Sequence, residues 1–341
     1  MSLDLFSASL DSNMQTFLNA LATETVQKYD IVDKPFHIPA LPKAQCIAVP
    51  IVREVVAPLV VRNNASDEIT EQYIAQENRV RMIASKTKGV ERRRGAQILR
   101  SLGMGGVAAA NKAFISKKSS PGNVFDLNTF IYGDSGKGGD KAIYPVHAAV
   151  LYSDALSVQA KSDQIESTFR QGGVYEDGGN FDAESGSTSS NIFTTYTVKP
   201  GTIFVQTAVF LGNRITRGAF DHWLLSIGLA GAYGGTTATT GTNIKTHLGG
   251  LYWGMVERPI NAPGELLQAV PGEFENTGEL LSKIESVFTE EYPNRVERLE
   301  LNDYLNRRVE DLESRDRNLL DQYESETRKV KEMFDKWFSK S

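Results

Sequence analysis

Eleven cationic side chains crowd into residues 79–118: Arg79, Arg81, Lys86, Lys88, Arg92, Arg93, Arg94, Arg100, Lys112, Lys117 and Lys118. A strand or groove presenting several of them could neutralise successive phosphates, and such binding weakens with salt while reading little sequence. The alternative is a solvated charged face. A second stretch, GAYGGTTATTGTNIKTHLGG at 231–250, has the composition of a close-fitting phosphate cradle. Glycine lets the backbone approach an anion, while Thr236, Thr237, Thr239, Thr240 and Lys245 supply donors. The same composition suits a flexible surface loop. GDSGKGGD at 133–140 offers exposed backbone donors beside Ser135 and Lys137, as a structural turn or a backbone contact to nucleic acid.

Enzyme chemistry finds no comparable cluster. His37, His147, His222 and His247 are 110, 75 and 25 residues apart and form no HExxH pattern. GDSGKGGD lacks the order of a phosphate loop, and Asp134-Ser135 lacks the GxSxG elbow of a serine hydrolase. His222 beside Trp223 reads as the start of an apolar helix, and His247 as a surface residue or a polar contact to a ligand. The single cysteine, Cys46, permits neither an internal disulfide nor a cysteine-based zinc cluster, and reads as a buried apolar residue. No metal and no cofactor is expected.

Residues 171–191, QGGVYEDGGNFDAESGSTSSN, have the composition of an exposed excursion. Tyr175, Phe181 and Phe193 punctuate it, and an aromatic tip could wedge against an exposed base. Asp177, Asp182 and Glu184 repel phosphates, so separating bases or touching protein suits that tip better than wrapping a backbone.

The elements that must carry these residues alternate in type. Residues 12–27 show a loose helical pattern. Ala44–Val49 and Ile51–Val61 read as strands, with Pro50 and Pro58 favouring an edge or a break. Residues 68–83 fit either helix or strand, 90–102 read as a helix stopped by Gly103, and 142–158 as a strand pair or extended chain. Strand-like runs on either side of the polar excursion fit a long projecting hairpin. Residues 219–230 read as an apolar helix and 234–250 as a loop. From Val296 to Phe338 a charged helical pattern carries Leu299, Leu305, Leu312 and Leu319 at near-heptad spacing, for packing or a partner helix.

A chain of 341 residues, 40% hydrophobic and 23% charged, has enough apolar material for a proper core and is not a disordered chain. The net charge of −5 is unevenly spread. Residues 62–118 hold 12 Lys and Arg against 5 Asp and Glu, and residues 273–341 hold 12 against 18, so a local basic surface survives an acidic total. No secretory signal and no long charge-poor apolar window is present, and a soluble, cytoplasmic protein without membrane contact is expected.

In order along the chain, REVVAPLVVRN at 53–63, ERRRGAQILR at 91–100, YGDSG at 132–136, VKPGTIF at 198–204 and GAYGGTTATTGTNIKTHL at 231–248 carry a family resemblance. They resemble the backbone subunit of type I-D CRISPR effector complexes, within the Cas-seven group of repeat-associated RNA-binding proteins. The resemblance spans roughly residues 40–255 and implies an α+β fold: a modified ferredoxin-like or RNA-recognition-motif palm with inserted segments and a protruding β-hairpin thumb. The palm is expected in residues 1–272 with a candidate thumb at 168–195, and the charged C-terminal helical extension at 273–341 lies outside the resemblance. The implied function is non-catalytic. Copies polymerise along CRISPR guide RNA and present it for pairing with target DNA, beside other type I-D effector subunits. Mapped onto this chain, the guide-binding candidates are Arg53, Arg79, Arg81, Lys86, Lys88, Arg92, Arg93, Arg94, Arg100, Ser135, Lys137, Thr236, Thr237, Thr239, Thr240, Lys245 and His247, with Tyr175, Phe181 and Phe193 on the thumb. Two other readings stay open: periodic target cleavage through Asp67 or Glu68, and a structural protein that acts through its C-terminal helix.

Overall fold

The computed structural model describes residues 2–11, 25–26, 36–37, 44–62, 68–105, 125–134, 146–171, 181–182, 187–188, 192–211, 214–234, 241–270 and 274–337. The first half runs α1 (Leu3–Leu10), β1 (Cys46–Val55), β2 (Glu71–Ile74), β3 (Glu77–Met82), α2 (Ala84–Ser101), α3 (Leu127–Tyr132), β4 (Val150–Tyr152), β5 (Ala155–Ala160) and β6 (Ile165–Gln171). The second half runs β7 (Ile192–Val198), β8 (Ile203–Leu211), α4 (Arg217–Gly228), β9 (Ile244–Leu248), β10 (Leu251–Gly254), α5 (Pro263–Ala269), α6 (Thr277–Glu291), β11 (Asn294–Val296), α7 (Arg298–Ser314) and α8 (Arg317–Trp337).

Nine of these strands form one sheet in the order β11-β10-β1-β8-β5-β3-β2, with β9 also on β1 and β4 also on β8. Its pairings are antiparallel, as an α+β fold requires. Strand alternation sorts side chains of the central strands between two cores, and a third apolar cluster gathers Val55, Leu59, Val80, Phe204 and Tyr233. Ile47, Val49 and Ile51 of β1 and Ala208 and Phe210 of β8 face a layer containing α1, α2, α3, α4, α7 and α8. Cys46, Ala48 and Val52, with Val205 and Val209, face α5 and α6. Cys46 is buried there, as its residue type suggested.

Pro50 does not break β1 or send it to an edge; β1 is central and continuous from 46 to 55. Within a strand the N–H and C=O of one residue point to the same neighbour. The Pro50 carbonyl accepts from Gly249 N at 2.8 Å, so its missing donor faces the Gly249-Gly250 turn between β9 and β10, where the ladder is interrupted anyway. Residues 71–82 form a hairpin rather than a helix. Its two-residue turn puts Ala75 at φ 51° and Gln76 at φ 63°, left-handed positions that favour Asn and Gly. Replacing the pair by Asn-Gly is expected to raise stability by about 1 kcal/mol in urea unfolding; no gain, or a loss, would show that the turn is not under strain.

The stretch 234–250 is not all loop, because residues 244–248 pair with β1 as β9. The apolar helix at 219–230 is present as α4. The helical pattern beyond 296 divides into α7 and α8 at Arg315, whose φ of 54° ends the first helix. Leu319 is buried while Leu305 and Leu312 pack against the same core, and Leu299 is 68% exposed. Of the helical pattern expected at 12–27, residues 12–24 lie outside the described residues, and Thr25-Val26 pairs antiparallel with Phe36-His37 as a short strand rather than helix. No helix among the described residues is long and apolar enough to cross a membrane.

β6 and β7 pair antiparallel from Ile165↔Val198 to Gln171↔Ile192, and Phe181-Asp182 pairs with Ser187-Thr188. The root of this hairpin is held by the segment that follows β1, where Leu59 and Val198 exchange backbone hydrogen bonds, and is closed by Lys199 N donating to Gln164 O at 2.9 Å.

Candidate nucleic-acid interface

The arginine-rich segment folds as α2, and helical geometry disperses its charges. Thr87, Glu91, Gly95, Ile98 and Leu99 turn inward, while Lys86, Arg93 and Arg100 are exposed. These three recur every seven residues, so they form a stripe with steps of about 10 Å. Among the described residues no ion pair involves them. The neighbouring cations are differently engaged. Arg92 pairs with Asp134 at 3.4 Å, and Arg94 is half-buried. Lys88 Nζ donates to Val150 O at 3.1 Å, and burial, with Arg92 nearby, pushes its pKa down to about 8.

The helix is fixed from below. Ile83 gives no side-chain cap; Asp154, at the bend between β4 and β5, instead accepts from Ala84 N at 2.8 Å and from Arg81 Nε at 2.7 Å. Gly95 permits the close approach of α2 to α3 and α4. A Cβ there would stand 2.3 Å from Asn128 Oδ1, 2.6 Å from Ser226 Oγ and 2.9 Å from His222 Nε2. Gly95→Ala is therefore expected to destabilise by about 1–3 kcal/mol despite its better helix propensity. An unchanged or raised melting temperature would contradict this contact. His222 sits inside α4, neutral because burial pushes its pKa down to about 3, with Nδ1 2.9 Å from Tyr323 OH.

Arg53 requires a correction. Its side chain is 0% exposed and has no route to a phosphate. Its Nη2 meets Glu91 Oε1 at 2.7 Å, Nε donates to Gln206 Oε1 at 2.8 Å, and Nη1 donates to Tyr233 OH at 2.9 Å and Thr246 Oγ1 at 3.3 Å. Arg79 is also largely buried: it donates to the carbonyls of Ser157 and Val158 and pairs with Glu77 at 3.0 Å. Arg81 is held by Asp154.

Lys245 and His247 are not on the side of α2. Thr246 of β9 reaches Arg53, so by strand alternation its neighbours project from the opposite sheet face. There His247 Nε2 lies 3.3 Å from Glu54 Oε2, and burial pushes its pKa below the usual range. Lys245 is exposed. Ser135, Lys137, Tyr175, Thr236, Thr237, Thr239 and Thr240 lie outside the described residues, as does Asp67. Phe181 and Phe193 have described backbone positions in strands only.

Between the β2–β3 hairpin and the root of the β6–β7 hairpin lies a cleft of about 860 Å³, lined by Glu68, Glu71, Glu77, Lys161, Tyr196 and others. Lys161 pairs with Glu71. Three carboxylates against one lysine disfavour a phosphate there. Among the described residues no group of three His, Cys, Asp or Glu side chains could hold a metal ion.

Sequence reasoning missed Glu91, Asp154, Tyr233 and Asn243. For Glu91 a signal existed: a helical projection puts it on one face with Thr87, Gly95 and Ile98.

The chain matches the family model described as Csc2 Crispr over residues 35–333. The crystal structure of Thermofilum pendens Csc2 is similar, with TM-score 0.55 and 14% identity over 88% of this chain and 92% of that one. A chain of a CRISPR RNA-guided surveillance complex gives 0.45 at 14% identity, covering 72% and 85%. One of a pre-nicking CRISPR RNA-guided surveillance complex gives 0.47 at 12%, covering 73% and 90%. No curated protein matches the sequence.

Proposed function

The chain belongs to the Csc2 CRISPR family, and from that premise we propose that it is a non-catalytic backbone subunit that holds CRISPR guide RNA along the outer face of α2. Lys86, Arg93 and Arg100 are the primary phosphate contacts of this reading. The single observation that carries it is their stripe: three exposed cations, two helical turns apart, on a helix whose inner face is pinned to the sheet. Cations on a helix face hold phosphates without reading bases, so sequence recognition is left to pairing between guide and target DNA. Copies lined up on one strand turn a weak electrostatic site into a strong one, because each bound copy raises the effective concentration of the next.

In this reading residues 1–272 form the palm and 273–341 a helical region that braces it, in keeping with the packing of α6 and α8 into the two cores. Lys245 and His247, on the opposite sheet face, are assigned to a neighbouring copy or another effector subunit rather than to the same stretch of guide. Residues 168–195 serve as the thumb that interrupts guide–target pairing. Shortening 175–185 is expected to preserve the fold and alter the regular nuclease-protection interval of a guide–target duplex. Identical protection would remove the thumb assignment.

A further inference from the structure

Glu91 receives three donors from three parts of the chain: Arg53 Nη2 at 2.7 Å, Tyr233 OH at 3.0 Å, and Tyr152 OH. Arg53 also donates to the Tyr233 hydroxyl, at 2.9 Å, with its guanidinium carbon 5.1 Å from the ring centre. Arg53 and Glu91 are 0% exposed and Tyr233 is 1% exposed. The main chain of Tyr233 is clamped in turn. Its N–H donates to Asn243 Oδ1 and its carbonyl accepts from Asn243 Nδ2, both at 2.8 Å. Asn243 N donates to Gly231 O at 2.8 Å. The two ends of the glycine- and threonine-rich segment thus meet at one point, and that point is bonded to the inner face of α2.

Side chains turn with the helix that carries them, so a rotation of α2 about its axis would swing its cationic stripe away from a bound strand. Arg53 and Tyr233, each bonded to the Glu91 carboxylate and to one another, tie the helix to β1 and to the base of the 231–243 segment and resist that rotation. We propose that Tyr233 is a positioning residue: with Arg53 and Glu91 it forms a buried joint that fixes α2 to the base of the 231–243 segment, and guide-RNA affinity depends on its hydroxyl although that hydroxyl never touches RNA. This inference rests on the reading of α2 as the guide-binding helix.

The test compares salt-dependent binding of guide RNA by the full chain and three variants. Arg93→Ala, a direct contact, lowers the slope of log affinity against log salt by about 0.7, the value for one phosphate on a single strand. Tyr233→Phe weakens binding by about 2- to 30-fold at every salt concentration and leaves the slope unchanged. Tyr152→Phe removes a different hydroxyl from the same carboxylate and strands Trp223 Nε1, which donates to it at 2.7 Å. It costs at least as much stability and leaves affinity unaltered. Equal affinity losses in the two tyrosine variants would reduce the joint to general stability and overturn the proposal. So would wild-type affinity, or a changed slope, in Tyr233→Phe. If Tyr233→Phe does not fold, Asn243→Ala, which releases the Tyr233 main chain but keeps the carboxylate cluster, gives the same affinity loss or overturns the proposal. An unchanged slope in Arg93→Ala would instead sink the reading of α2 as the contact surface.

Discussion

Replacing Arg53 with methionine is expected to destabilise the fold by about 3–5 kcal/mol in urea unfolding, because it leaves the Glu91 carboxylate buried and without its cation. The arginine makes bonds to Glu91, Gln206, Tyr233 and Thr246, and the first three of these residues are buried. A buried ion pair gains little net energy over a well-packed apolar pair, since both charges are desolvated. Hence the double variant Arg53→Met, Glu91→Leu should recover part of the loss, the remainder reflecting the Tyr152 and Tyr233 hydroxyls and the Gln206 amide left without these partners. A cost below about 1 kcal/mol for the single substitution would be an ordinary surface effect and would contradict the burial described here.

The combined substitution of Lys86, Arg93 and Arg100 by alanine should behave in the opposite way. These side chains are exposed and make no described ion pair, so stability should move by less than about 0.5 kcal/mol. RNA binding should weaken strongly, and the salt slope should fall by about 2, three phosphates at about 0.7 each. Arg92→Ala is the informative comparison. Its partner is Asp134, so its loss should change the slope less than any member of the stripe. A triple variant with wild-type affinity and slope would exclude the outer face of α2 as the phosphate contact.

The sequence discloses which residues are cationic but not which way they point. ERRRG reads as one basic run, yet the turn of the helix sends Arg93 to solvent, Arg92 to Asp134 and Glu91 into the core. Local pattern was sufficient for α2 and α4, where apolar residues recur at helical spacing and Gly103 ends the first helix at φ 72°. It failed where tertiary partners decide. Pro50 is tolerated in a central strand because of a turn two hundred residues away. Residues 244–248 become a strand because β1 offers a partner, although glycine and threonine around them suggest a loop. Arg53 shows the same limit at the site. Nothing local separates a phosphate-binding arginine from one neutralised by a glutamate 38 positions later. Family resemblance supplied the class of ligand, and the contacts of each side chain decide which residues are available to it.

The most direct test of guide binding is to sequence the RNA retained by the natively purified assembly after nuclease treatment and a high-salt wash. Uniform spacer-bearing RNAs of guide length are the predicted result. An intact, folded assembly that carries no such RNA would contradict the central claim.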